Sequence, residues 1–498
     1  MGQQGSPKLR GINRQQGCFA TVRPEDLIDG DHAARIIWQL TEGLDLSKLE
    51  AGIRSFEGAA GNSCWPPRLL MCVWLYAYQQ GIGSAREVVR RMDWEPGFRW
   101  LCAMEVINIQ SLCTFRLQQK ATLEDLMAQV LAALAEEQLI DLRTIVHDGT
   151  KIQSRGGKNS AHRRSTLARH YEEAKAYMDQ LEREAAKNSE GVSKRRQAAV
   201  ERAQRERLRR LQSALGEMKR REEAEADANK RAQVRVSESE PDARLMRHTE
   251  HGGWLQSYNV QITAEMENNF IVGVQVTTDQ NDTQQLLPAL ETMQQLTGVQ
   301  PERMVADEGY VTRENIQATA EAGVEFIAPV PDEMARHAAA RSRLGIAEEF
   351  DASLFQPDGN TLRCPAGKQL VQIGEKVHHG LPERTYATPP GSCDACMHKP
   401  RCCPRAGPRG RLIHRFQEHE SILQHAQRMA TERCRALYRL RSQFGEFCQM
   451  RWKGSWGLRR FMLWGKEKAQ TEALWIALAF NFSQWKWARA KAQMQASI

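Results

Sequence analysis

Glu302–Val330 reads ERMVADEGYVTRENIQATAEAGVEFIAPV, and this stretch decides the fold class. Met304 to Ala306 form a short apolar run that stops at Asp307, Arg313 to Glu321 carry helix formers, and Val324 to Val330 are β-prone again. Strand, helix and strand in quick succession predict a parallel pair with a right-handed crossover. Asp307 then stands at the carboxyl end of a strand, where open α/β sheets receive their ligands.

Upstream, LRTIVHDGTKIQS repeats the pattern: Thr144, Ile145 and Val146 are β-prone and lead to Asp148-Gly149, which predicts a second strand-end aspartate. A single Asp-Gly pair is adequately explained as a turn. Two strand-end aspartates in one sheet are harder to assign to turns. Between them the period changes to two: LQSYNVQITAEM and NNFIVGVQVTTD read as a β-hairpin turning at Glu267-Asn268-Asn269. A helix follows in TQQLLPALETMQQLTG, with Asp282 as N-cap and Gln285 in the capping-box position. Asp279 and Asp282 are conceivable metal ligands, but turn and cap roles already account for them.

Two segments interrupt this α/β pattern. From Ser165 to Ala232 the chain is charged and helix-forming. Leu167, Tyr171, Ala174, Met178, Leu181 and Ala185 form a heptad seam, broken at Lys187 to Gly191 and resumed by Leu208, Leu211, Leu215 and Met218. This predicts an inserted antiparallel helical hairpin, or short coiled coil, with a solvated charged face. The second segment holds most of the later cysteines of a chain with 12. Cys364-Pro-Ala-Gly-Lys368, Cys393-x-x-Cys396 and Cys402-Cys403 suit a tetrahedral zinc site built from Cys364, Cys393, Cys396 and Cys402, with His398 a weaker candidate. No regular element there is expected to be long enough to form a core. Cys18, Cys64, Cys72, Cys102 and Cys113 lie among apolar residues and read as reduced core thiols.

From Pro24 to Ile140 the pattern is helical. PPRLLMCVWLYAYQQGIGSAREVVRRM gives two helices broken at Gly81 and Gly83, and Arg86, Arg90 and Arg91 on the second fit either a DNA-reading helix-turn-helix or a bundle with a basic face. The chain has 498 residues, with 69 Lys and Arg against 61 Asp and Glu, so the distribution of charge matters more than its sum. The longest apolar candidate, Ala473 to Phe482, is too short for a membrane span and reads as a buried helix. The N-terminal MGQQGSPKLR lacks the apolar core of a secretory signal, and its loose match to a myristoylation pattern has no second membrane signal beside it.

The sharpest charge anomaly lies in YRLRSQFGEFCQMRWKGSWGLRRF, Tyr438 to Phe461. Arg439, Arg441, Arg451, Lys453, Arg459 and Arg460 make a surface suited to polyphosphate. A lone carboxylate there, Glu446, is out of place unless it holds a metal together with Asp148 and Asp307. Trp452, Trp456 and Trp464 could stack on an unpaired base, though packing is the expected role for at least two.

Stripped of insertions, the order of elements is that of the ribonuclease-H-like fold: a mixed five-stranded sheet with helices on both faces. The separated blocks HDGTKI, DARLMR with YNVQ, VADEGY, CPAGK with the CxxC cluster, and YRLRSQFGE…RWK…GLRRFMLWGKEKAQTEALWIALAFN resemble DDE-type transposases of bacterial insertion sequences, in the subgroup with a helical N-terminal domain and a cysteine-bearing insertion. The resemblance covers most of the chain. It implies Asp148, Asp307 and Glu446 as the catalytic triad, and Tyr438, Arg441 and Lys453 as the residues that accompany the last acid. It further implies two Mg²⁺ ions, replaceable by Mn²⁺; strand cleavage and transfer at terminal inverted repeats into target DNA; a homodimeric synaptic complex; and a bacterial cytoplasmic, nucleoid-associated setting.

The implied domains are 1–140, helical and binding DNA ends; 141–160 with 236–331, the catalytic core; 161–235, the helical hairpin; 332–412, the zinc-ribbon-like insertion; and 413–498, the helices bearing Glu446. Two features depart from the family pattern. Arg441 and Glu446 are one residue further apart than in the better-known signature, and Phe447-Cys448-Gln449-Met450 stands where relatives more often have Pro-x-Phe-Gly. A non-catalytic DNA-binding remnant is the alternative reading, which loss of one acid would have favoured; all three are present.

Overall fold

The fold is given by a computed structural model that describes residues 21–51, 53, 63–117, 120–187, 194–248, 253–330, 341–378, 381–405, 407, 410–416 and 420–496. The MGQQGSPKLR pattern, Cys18 and the 188–191 part of the hairpin break lie outside the described residues. In chain order the strands are β1 (Thr144–Gln153), β2 (Ala161–His162), β3 (Val236–Ser237), β4 (Arg244–His248), β5 (Gly253–Glu265), β6 (Ile271–Thr277), β7 (Arg303–Val305) and β8 (Glu325–Ile327). Five more follow: β9 (Gln356–Asp358), β10 (Thr361–Arg363), β11 (Gln369–His378), β12 (Leu381–Ala387) and β13 (Leu412–Phe416).

β1 pairs antiparallel with β5 and parallel with β7; β6 lies antiparallel to β5, and β8 parallel to β7. The resulting order, β6-β5-β1-β7-β8, with β4 flanking the first half of β5, is the ribonuclease-H-like arrangement. Helices Leu286–Thr297 and Arg313–Glu321 make the crossovers into β7 and β8. Asn269 takes the left-handed backbone conformation, φ 61°, that the β5–β6 turn requires, which asparagine tolerates better than most residues.

One strand is longer than its apolar run suggests. Asp148 sits within β1, opposite Ile262 of β5, rather than at its end. The parallel pairing with β7 stops at Val146–Val305, so Asp148 stands where the parallel half of the sheet ends while β1 continues along β5 alone. The helix after β6 also starts later than expected. It begins at Leu286 with Gln285 as N-cap, because the Asp282 side chain is taken by the amides of Asn259 and Gln261, each donating at 2.7 Å.

The final helix, Lys466–Ala496, is buried from Ala473 to Phe482 and packs on β6 and on helices Pro67–Gln79 and Lys120–Glu136. Asn481 binds both backbone groups of Ile271 at 2.8 Å. Apolar packing runs unbroken from Ala34 to Ala488, so the N-terminal helices and the sheet share one core. Helix Pro67–Gln79 is buried over most of its length, and Arg90 and Arg91 on helix Ala85–Met92 both engage Glu87 of their own helix. No helix among the described residues is long and apolar enough to cross a membrane.

The insertion between β1 and β4 is the helical hairpin. Helices Arg164–Lys187 and Lys194–Ala224 pack through Leu167, Ala174, Leu211, Ala214 and Met218, and the two chain ends pair as β2 and β3. The cysteine-bearing segment differs from the loop-rich expectation. It contains an antiparallel sheet in the order β13-β12-β11-β10-β9, with its own small core of Ala352, Phe355, Leu362, Leu370, Tyr386 and Ile413. Its long β11–β12 ribbon went unseen because β11 is exposed on both faces from Val371 to Val377, apolar residues included, so it lacks the alternation of a half-buried strand.

Candidate active site

Asp148 comes from the middle of β1, Asp307 caps the short turn Glu308–Tyr310 just after β7, and Glu446 lies in helix Arg441–Met450. All three line one open cleft of about 680 Å³, with Gly149, Arg441, Gln449, Lys453 and Arg459 among its walls. Two contacts fasten the helix to the sheet. Gly445 rests on β1, where a β-carbon would stand 3.1 Å from Val146 Cγ2, and the Gln449 amide donates to the Gly149 carbonyl at 3.3 Å. The segment Phe447-Cys448-Gln449 continues the helix: Cys448 is buried and Phe447 packs edge-on against Phe480.

Arg441 is the cation at the centre. Its guanidinium donates to Asp148 Oδ2 at 3.1 Å and to Glu446 Oε1 at 3.3 Å. The Tyr438 hydroxyl donates to Asp307 Oδ1 at 3.3 Å, and the Arg441 guanidinium lies 5.7 Å from the Tyr438 ring. Burial pushes the Asp148 carboxyl up to about 6; Arg441 and the Gly149 N–H oppose that rise, and the charges of Asp307 and Asp282 add to it. Three carboxylates gathered about the Arg441 guanidinium offer oxygen donors that fit a hard divalent cation.

Beneath Asp148 lies a buried polar layer. His147 Nε2 lies 2.9 Å from Gln261 Oε1 and its Nδ1 2.9 Å from Thr263 Oγ1, a pair of contacts that a neutral imidazole satisfies by donating to the amide oxygen and accepting from the hydroxyl. Burial lowers the His147 pKa to about 4. Tyr310 donates to the same Gln261 oxygen at 2.6 Å, and the Gln261 amide reaches Asp282. Gly149 leaves room for this layer, since a β-carbon there would fall 2.6 Å from both Asp282 Oδ1 and Gln261 Nε2. Gln261, Tyr310 and Gly445 were not singled out from sequence. Their one readable trace is the alternation in β5, where Asn259, Gln261 and Thr263 form a buried polar face.

The remaining basic residues divide. Lys453 and Arg459 line the cleft. Arg460 turns back to the carbonyls of Ser154, Arg155 and Gly156, securing the exit of β1, and Arg451 reaches Ser483 Oγ at 3.5 Å. Neither of these two lines the cleft. Trp452 and Trp456 are buried packing residues, while Trp464 is 44% exposed.

Away from the cleft, Cys364, Cys393, Cys396, Cys402, Cys403 and His398 surround one small cavity of about 20 Å³. The Lys368 N–H donates to Cys364 Sγ at 3.2 Å, and Thr388 Oγ1 lies 3.3 Å from Cys393 Sγ. The sulfurs are gathered but not drawn in to coordination distance. Among the described residues, three ligand atoms come mutually within 4.8 Å at His162, His170 and Glu238.

Residues 363–485 match a family model described as the Transposase DDE domain, and residues 22–118 match the Transposase domain (DUF772). These matches indicate a DDE-type transposase. The DDE match encloses the cysteines, Tyr438, Arg441, Glu446 and Lys453, and stops short of the two aspartates. No curated protein matches the transposase. Among solved structures it is similar to the piggyBac transposase synaptic complex with hairpin DNA, at 6% identity and a TM-score of 0.31, over 93% of this chain and 75% of that one. So slight a likeness carries no weight for fold or function.

Proposed function

We propose that this transposase binds duplex DNA at the terminal inverted repeats of an insertion sequence, cuts a strand there, and joins the freed 3′-hydroxyl to target DNA. The observation that carries the reading is the convergence of Asp148, Asp307 and Glu446 on one open cleft, with Arg441 between two of them and Lys453 and Arg459 along its wall.

Asp148, Asp307 and Glu446 would hold Mg²⁺, or Mn²⁺ in its place, and the bound ions would lower the pKa of the attacking hydroxyl and stabilise the leaving oxygen. Tyr438 fixes one oxygen of Asp307 by its hydrogen bond, leaving the other for the cleft. Arg441 serves as counter-charge to Asp148 and Glu446, and its planar fork would suit a phosphate oxygen were a bound cation to take over that role. Lys453 and Arg459 neutralise the backbone on either side of the reacting phosphate. Two copies of the chain, each holding one end of the element, form the productive complex.

Cys364, Cys393, Cys396 and Cys402 hold a structural zinc in this reading. The shared cavity and the N–H donated to Cys364 support it, and Cys403 lines the same cavity as an alternative ligand. A closed site of four thiolates has no place for substrate, so its contribution is to folding.

The test is purified full-length protein with linear DNA carrying the terminal repeats and Mg²⁺. Nicking and strand joining are expected, and Asp148→Ala, Asp307→Ala and Glu446→Ala should each abolish both while leaving DNA binding in place. Unchanged cleavage in all three variants sinks the reading, and binding without cleavage by the wild type points instead to a DNA-occupying protein.

A further inference from the structure

We propose that His162, His170 and Glu238 form a second zinc site, at the neck of the helical hairpin. His162 belongs to β2, His170 to the first turns of helix Arg164–Lys187, and Glu238 follows β3. His162 and His170 are near one another in sequence and Glu238 lies 68 residues beyond His170, so the two arms of the excursion meet where the hairpin leaves and rejoins the sheet.

Three ligand atoms, one from each residue, lie within 4.8 Å of one another. His170 Nδ1 is 2.8 Å from Glu238 Oε2, and His162 Nε2 is 4.0 Å from the same oxygen. The two imidazole rings stand 5.1 Å apart at 78°, so their nitrogens can converge on one point. Arg169 lies 3.2 Å from the far nitrogen of His170, Nε2, a contact that has to be given up when Nδ1 takes an ion, since Nε2 then carries the ring proton. Zinc bonds of about 2.0–2.1 Å put ligand atoms about 3.3 Å apart, so the His162–Glu238 separation has to close by less than about 1 Å. All three side chains are partly exposed, giving an ion access from solvent.

Two imidazoles and a carboxylate are a donor set that zinc accepts, with water as fourth ligand. The ion would take the place of the direct His170–Glu238 contact and tie β2 to the segment after β3, closing the long excursion between them. The proposal uses none of the residues of the cleft and does not depend on how that cleft is read.

The test is zinc binding by full-length protein, stripped with EDTA and titrated with Zn²⁺ at neutral pH by equilibrium dialysis. The double variant His162→Ala with His170→Ala should bind one zinc fewer per chain than the wild type. Glu238→Gln, which keeps a hydrogen bond to His170, should bind that same zinc at least about tenfold more weakly. Zinc should also slow tryptic cleavage at the hairpin neck in the wild type and not in the double variant. If the double variant fails to fold by circular dichroism, the Glu238→Gln isotherm decides. Wild-type affinity and stoichiometry in that variant would overturn the site.

Discussion

Gly445 lies directly on Asp148: a β-carbon at 445 would stand 3.5 Å from Asp148 Cβ. The residue before the helix-borne acid is thus a point of close approach between that helix and the strand bearing the first aspartate. Gly445→Val has to lift the helix, since Val146 Cγ2 is closer still, at 3.1 Å. Displacement of this size in a catalytic constellation costs about 100-fold in rate. The expected outcome is DNA cleavage reduced on that scale with far-UV circular dichroism and DNA binding retained; wild-type cleavage in a folded variant would remove Gly445 from the account.

Arg441 should behave as an internal counter-ion. Its removal leaves Asp148 and Glu446 facing each other, and a lost hydrogen bond to a charged group costs about 1.5–3 kcal/mol. Arg441→Ala is therefore expected to melt lower than wild type in EDTA and to gain more than wild type from added Mn²⁺. Differential scanning fluorimetry with and without Mn²⁺ measures both. Equal metal-induced shifts in the two proteins would contradict the role.

His147 gives the protein an acid-sensitive term. In the unfolded chain the imidazole takes up a proton near pH 6.5, whereas in the folded one, held neutral by burial, it does so only near about 4. Its contribution is complete above pH 6.5 and is lost as pH falls through about 4. At 1.36 kcal/mol per pH unit the loss is about 3 kcal/mol. Asp148, raised to about 6, runs in the opposite sense, so the useful comparison is between proteins. Urea unfolding of wild type and His147→Asn at pH 7 and pH 4 should give a shallower pH dependence for the variant.

Chelation should act locally on the cysteine-bearing sheet. That sheet has a small core of its own, and domains this small usually need a metal or disulfide staple. Cys396→Ser, or prolonged treatment with a strong chelator, is expected to release one zinc and to expose the β11–β12 ribbon to protease, with the main core still protected. Hydrogen exchange resolved by peptide distinguishes this from global unfolding, and unchanged exchange in the ribbon would sink the zinc assignment.

The parallel half of the fold was legible because its signals are local: an apolar run, a strand-end acid and a run of helix formers after Asp307. Glu446 was legible from charge alone, as the one acid in a basic run. What was missed depends on partners far along the chain. β1 outlasts its apolar run because β5 supplies hydrogen bonds beyond Asp148, and nothing in TKIQ announces that. Which arginines of the basic run turn inward depends on where Ser154 and Ser483 fall in space. Asp282 looked like a helix cap because local spacing permits one; the buried amides of Asn259 and Gln261 compete for it and win.

The paired strands β2 and β3 bring the chain back to the point where it departed. Glu240, just beyond, accepts hydrogen bonds from the Gly156 and Gly465 backbones and from the Tyr258 hydroxyl, so the junction is anchored on three sides. The hairpin is for that reason an exchangeable cassette. Its length and sequence can drift, or be swapped for those of another element, without re-registering the strand that carries Asp148.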